Sequence, residues 1–191
     1  MRHIVFDIET ANAFPSLARD LSKLELALVG VYDSETDSYS SYIKEELPKL
    51  WPLLESADML IGFNSDSFDI PLLNRYYPGD LTHIRSLDLL TEVYNVLGRR
   101  IRLDTLARAT LGRGKSGDGL KSVEWWQKGL VDKVRQYCIE DVRLTKELYD
   151  YALLNGLVKY KDLRTVRDIK LDTKHWTAPQ TTHPITHALP L

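Results

Sequence analysis

The segment Ile4-Val5-Phe6-Asp7-Ile8-Glu9-Thr10 places two carboxylates two residues apart inside what otherwise reads as a buried strand. Successive strand side chains point to opposite faces, so Asp7 and Glu9 share one face. Left unpaired there, two like charges repel each other and resist desolvation. A divalent cation resolves both problems, and magnesium suits the pair best because it takes hard oxygen ligands and keeps waters that a reaction can use. The competing reading is a strand end whose acids simply face water.

Two acidic clusters lie downstream. In Ile61-Gly62-Phe63-Asn64-Ser65-Asp66-Ser67-Phe68-Asp69, an apolar strand ends in polar residues and a helix begins, so Asp69 sits at a strand-to-helix junction. An acid at that place also suits a helix dipole. In Tyr137-Cys138-Ile139-Glu140-Asp141, inside a long amphipathic run from Val131 to about Leu154, Tyr137 and Asp141 are four apart and project from one helical face.

The ordered set Asp7-x-Glu9, Asn64-x-x-x-Phe68-Asp69 and Tyr137-x-x-x-Asp141 resembles the DEDD superfamily of 3′ to 5′ exonucleases, in its tyrosine subgroup. Phe6-Asp7-Ile8-Glu9-Thr10 and Tyr137-Cys138-x-x-Asp141 are similar to the first and third exonuclease motifs of the proofreading domain of family B DNA polymerases. The resemblance covers roughly residues 1 to 155. It implies a ribonuclease H-like fold and two divalent ions, Mg2+ or Mn2+, held by Asp7, Glu9, Asp69 and Asp141. Asp7 would bridge both ions, Glu9 and Asp141 would complete the site of the water-activating ion, and Asp69 would support the other. In-line phosphodiester hydrolysis uses two such cations about 4 Å apart, one for the attacking water and one for the leaving oxygen. Tyr137 would orient that water, since a phenol with a pKa near 10 is a poor base at neutral pH. The implied substrate is a single-stranded 3′ end, DNA before RNA; the alternatives are an RNA-trimming enzyme or endonuclease of the same fold, a catalytically silent nucleic-acid-binding module, and a proofreading subunit whose polymerase or other repair partner sits on another chain.

Between Gly98 and Lys121 lies the most basic stretch, with Arg99, Arg100, Arg102, Arg108, Arg113, Lys115 and Lys121 against Asp104 and Asp118. In a chain of net charge −2 this concentration reads as a phosphate-contacting face, with a solvated helix and loop as the alternative. Arg99, Arg100, Arg102, Arg113 and Lys121 are the candidate phosphate contacts. Gly114-Lys115-Ser116 mimics the end of a P-loop, but Ala109 stands where the leading glycine belongs. Lys115 is instead read as reaching the scissile phosphate from a mobile glycine-rich loop, where it stabilises charge growing in the transition state; Lys121 is the alternative. Thr10, Asn64 and Phe68, beside the motif acids, are candidate contacts to the terminal nucleotide. Trp125 and Trp126 could stack bases or pack into the core.

The order of elements predicts an α/β fold with a mixed five-stranded sheet flanked by helices. Three antiparallel strands come first, near 2–8, 24–33 and 38–43; two more, at Met59–Phe63 and near His83–Leu87, alternate with helices. Residues 1–172 are expected to form one domain ending in a hairpin over 157–172. Residues 173–191, rich in Thr, Pro and His, are expected to be a disordered tail. No run approaches the roughly 20 apolar residues of a membrane span, and the chain enters a strand at once, so an intracellular protein without a signal peptide is expected. The single cysteine, Cys138, excludes an internal disulfide and reads as a packed helix residue.

Overall fold

Alternation along the first strand divides the molecule into two layers. In the computed structural model, which describes residues 1–14, 20–114 and 119–178, β1 (His3–Thr10) sends Ile4, Phe6 and Ile8 into one core cluster. Val5, on the other face, belongs to a second cluster. β1 lies at the centre of a five-stranded sheet of order β3-β2-β1-β4-β5, formed with β2 (Leu26–Asp33), β3 (Ser38–Ile43), β4 (Met59–Gly62) and β5 (Ser86–Asp88). β1 is antiparallel to β2 and parallel to β4, so the sheet is mixed, as the order of elements predicts.

On the face carrying Ile4, Phe6 and Ile8, the sheet is covered by α1 (Leu47–Glu55) through Leu47, Leu50 and Leu54, and by α2 (Asp69–Leu73) through Ile70, Leu72 and Leu73. The opposite face is covered by α6 (Val131–Asn155), the longest helix among the described residues, with Val142, Leu148, Tyr149 and Ala152 packed over Val5, Met59 and Ile61. Each fully buried side chain of this size contributes about 1.5–3 kcal/mol. Between them, α3 (Leu89–Leu97), α4 (Leu103–Leu111) and α5 (Gly119–Gln127) carry the chain from β5 to α6. Among the described residues, no helix is long and apolar enough to cross a membrane.

Two differences from the sequence reading have physical causes. The last sheet strand is confined to Ser86–Asp88, because Asp80 caps a 3-10 turn at Leu81–His83 through the Thr82 N–H, 2.9 Å away. The second concerns the tail, for which disorder was expected from Thr173 onward. Leu157–Asp162 (β6) and Thr165–Lys170 (β7) pair as an antiparallel hairpin, and the chain beyond it, through Ala178, folds back on the domain. Trp176 is fully buried and stacked on Tyr149 at 5.7 Å, and its indole N–H donates to Glu92 at 3.1 Å. Arg85 donates to the carbonyls of His175 and Ala178. One aromatic anchor thus overrides the polar composition around it. Residues 179–191 lie outside the described residues.

Trp176→Ala should therefore cost about 3–5 kcal/mol, the range for emptying a large aromatic site. Urea denaturation followed by circular dichroism measures it; a loss below about 1 kcal/mol, the level of a surface change, would mean that the tail does not dock.

Candidate active site

Asp7 and Glu9 both fall inside β1 and share the face covered by α6, opposite Gly30 and Leu28 of β2. β1 outruns its parallel neighbour: the β1–β4 ladder ends at the Val5–Ile61 pair, and β4 stops at Gly62. Beyond that point the edge of β1 would lose its partner, but Asp69 supplies one. Its Oδ1 accepts the Ile8 N–H at 3.1 Å, a buried bond across 61 residues of sequence. Because Ile8 lies between Asp7 and Glu9, this bond fixes Asp69, itself 4 % exposed, beside the pair.

The loop that delivers Asp69 is organised by Asp88. Its carboxylate accepts from Asn64 N at 2.7 Å and Asp66 N at 3.3 Å, and it also caps α3 through Leu90 N at 2.9 Å. Asn64 has a left-handed φ of 70°, which suits its short polar side chain. Its side-chain oxygen accepts from Arg100.

The fourth acid comes from α6. Tyr137, Cys138 and Asp141 all point inward, and Asp141 is 2 % exposed. The Cys138 thiol donates to Asp7, with 3.4 Å to its carbonyl oxygen and 3.6 Å to Oδ2. Asp7, Glu9 and Cys138 each bring one ligand-type atom within 4.8 Å of the others. Burial pushes the Cys138 thiol well above its usual pKa, and the nearby charges of Asp7, Glu9 and Asp141 push it further the same way. The thiol therefore sits neutral beside the carboxylates of Asp7 and Glu9, on the same inward helix face as Asp141. Oxygen-rich donors this close together fit a hard cation such as Mg2+ or Mn2+, for which a sulfur is the poorer ligand.

Three residues of this region carry no motif signal. Gly30 faces Asp7 across the ladder, and a Cβ there would sit 2.8 Å from Cys138 Sγ and 3.2 Å from Val142 Cγ2. Only glycine lets α6 approach so closely, and a glycine inside an otherwise apolar strand is the available sequence clue. Ser122 of α5 is fully buried and donates its hydroxyl to Glu9 Oε2. Phe14 meets Phe68 edge-on, with centroids 6.3 Å apart. Nothing in the local pattern marks either Ser122 or Phe14.

A cleft of about 1090 Å³ opens over this region, and among the candidates from the sequence it is lined by Asp7, Thr10, Phe68, Arg102, Lys121 and Tyr137, with Phe14 beside them. Tyr137 is 4 % exposed, and the Trp125 ring packs edge-on against it at 6.0 Å. Trp125 and Trp126 pack around Leu28, Val134 and Cys138 rather than standing free. Of the four acids only Asp7 lines the cleft; Glu9, Asp69 and Asp141 are buried and do not, and neither do Asn64, Arg99, Arg100 and Arg113. Arg99 lies 5.3 Å over the Tyr160 ring, and Arg113 bridges Glu140 and Glu147 of α6, at 2.7 and 2.5 Å. Lys115 lies outside the described residues.

Residues 4–153 match the family model of the RNase_H superfamily. No curated protein matches the chain. Among solved structures, the chain is similar to the family B DNA polymerase from the hyperthermophilic archaeon Pyrobaculum calidifontis, with a TM-score of 0.61 and 20% identity. That likeness covers 80% of this chain but 24% of the polymerase chain, and at this identity it bears on the fold alone.

Gly30→Ala should lower stability by about 1–3 kcal/mol, the usual cost of overpacking. Adding Cys138→Ala removes the nearest atom and should recover most of that loss. Unfolding curves of the two variants measure it, and an alanine at position 30 without cost would show that α6 does not need this close approach.

Proposed function

We propose that this chain, which belongs to the RNase H superfamily, is a metal-dependent nuclease that removes nucleotides from the 3′ end of single-stranded nucleic acid, DNA foremost. The observation that carries the reading is the cluster of Asp7 and Glu9 at the buried Cys138 thiol, with Asp69 hydrogen-bonded to the Ile8 N–H between them and Asp141 buried on the helix that carries the thiol, beside a cleft lined by Asp7 and Tyr137. The direction of degradation and the assignment to the tyrosine subgroup rest on the order and wording of the three motifs.

Asp7, Glu9, Asp69 and Asp141 would hold two Mg2+ or Mn2+ ions. Such ions supply an activated water and offset the charge on the leaving oxygen. The chain's own groups do the rest. The Ser122 hydroxyl and the Ile8 N–H orient the carboxylates of Glu9 and Asp69, so neither has to reorganise when substrate binds. Tyr137, held by the Trp125 ring, presents its hydroxyl for positioning the attacking water. Phe14 and Phe68 offer a ring surface for the terminal base, while Arg102 and Lys121 face the phosphates. We assign Thr10, also on the cleft wall, to the terminal nucleotide, and Lys115 to the scissile phosphate. A polymerase on another chain is the protein partner we propose, and co-purification tests it.

The test is cleavage of 5′-labelled single-stranded oligomers with Mg2+, Mn2+ or chelator. A descending ladder that needs metal is expected; a single internal cut, or cleavage in chelator, would overturn the reading. Asp7→Asn should abolish the ladder, while thermal stability in chelator stays level or rises because a negative charge leaves the acidic cluster. Tyr137→Phe should slow single-turnover hydrolysis by about 10 to 1000-fold with metal binding kept, and Asp141→Ala should be slower still. Full activity in Tyr137→Phe would remove water positioning from the tyrosine.

A further inference from the structure

The hairpin of β6 and β7 lies outside the cleft, and it carries a second concentration of basic residues. From 157 to 174 the sequence carries six basic residues against three acidic ones, in a protein whose net charge is −2. Pairing Val158 with Ile169 turns those two side chains to the core, and the alternation leaves Lys159, Lys161, Val166 and Lys170 on the outward face, with Asp168 directly across from Lys159. Lys161, Arg164, Arg167 and Lys170 are exposed, and among the described residues the ion pairing of these four reaches only Arg167, which meets Asp162 at 3.4 Å.

The hairpin tip is unusual in a second, independent way. Leu163 is 93% exposed and holds a left-handed φ of 53°. A branched apolar residue is disfavoured in that conformation, and glycine or asparagine would serve the turn better. An apolar side chain kept at a strained tip between basic neighbours suits a surface that packs against bases while its lysines and arginines meet phosphates.

Position ties the hairpin to the cleft. α4 follows Arg102 on the cleft wall and reaches β6 at Thr110, whose hydroxyl bonds both the N–H and the carbonyl of Lys159, at 2.8 and 3.0 Å. A nine-residue helix spans about 13 Å. Arg99, in the link before α4, lies over the Tyr160 ring of β6 and so joins the basic link 99–102 to the hairpin. Arg102 on the cleft wall and Arg99 against β6 thus mark the connection between the cleft and the hairpin.

We propose that the β6–β7 hairpin is a second nucleic-acid contact, which grips the part of the substrate strand that lies outside the cleft, with Lys161, Arg164 and Lys170 on phosphates and Leu163 against a base. The inference rests on the proposed nuclease reading for its substrate. It makes the hairpin matter for long strands and not for the terminal nucleotides that the cleft itself holds.

The test compares fluorescently labelled single-stranded DNA of about 6 and about 24 nucleotides, lengths near the lower end of and above the range of single-strand sites. Binding is measured by anisotropy in chelator across a salt series, so it does not depend on cleavage. In the triple variant Lys161→Gln, Arg164→Gln, Lys170→Gln, affinity for the long strand should fall at least tenfold and its log–log salt slope by about 2, from three lost single-strand phosphate contacts. Binding and cleavage of the short strand should stay within twofold of wild type. Leu163→Gly should weaken long-strand binding while its melting temperature stays level or rises, which separates loss of contact from loss of fold. An unchanged slope for the long strand, or an equal loss on both lengths, would overturn the proposal. Failure of the nuclease reading would look different: wild type would leave the short strand uncut whatever the hairpin carries.

Discussion

One hydrogen bond, from the Ile8 N–H to Asp69 Oδ1, sets the geometry on which the rest of the candidate site depends. It exists because the parallel ladder between β1 and β4 ends early and leaves a strand edge that something must satisfy. A carboxylate does so here, where another strand would have closed the sheet. The same step holds Asp69 beside Asp7 and Glu9, and it ends β4 where the polypeptide turns to form one wall of the cleft. From the other side, the absence of a side chain at Gly30 lets α6 lie close against β2, and the same helix carries the buried Asp141. Structural needs of a mixed sheet and of a helix crossing it thus converge on one cluster of oxygen ligands.

Much of this was legible in the sequence, because the signals were periodic. Period-2 alternation put Asp7 and Glu9 on one face of a strand, and the four-residue spacing put Tyr137 and Asp141 on one face of a helix. The strand-to-helix junction located Asp69. Contacts between distant segments left no such trace: Ser122 reaches Glu9 across 113 residues, and Phe14 meets Phe68 across a loop. Gly30 stood in view, but a glycine announces a close approach without saying to what. The start of the tail, residues 173–178, departs from the expected disorder for a different reason. Average composition described its polarity, whereas its docking depends on a single residue, Trp176, and on a complementary ring at Tyr149.

The basic stretch shows why charge density alone does not locate a binding surface. Arg102 and Lys121 come to the cleft, while Arg113 lies between two glutamates of α6 and Arg99 lies over a tyrosine. Charges adjacent in sequence were distributed by the fold among cleft-lining, structural and bridging places. The hairpin, by contrast, carries its basic residues outward with little internal pairing, which makes it a surface of a different kind.

The central claim is that β1, α2 and α6 together build a site for a divalent cation, and locating that cation tests it most directly. Crystals soaked in Mn2+ and measured at an energy where manganese scatters anomalously would show where the metal sits. The expected result is anomalous density bonded to carboxylate oxygens of Asp7 with Glu9 and Asp141, and the Cys138 sulfur left uncoordinated. Manganese bound only elsewhere on the protein at saturating concentration, or coordinated by Cys138 in place of the acids, would contradict the account.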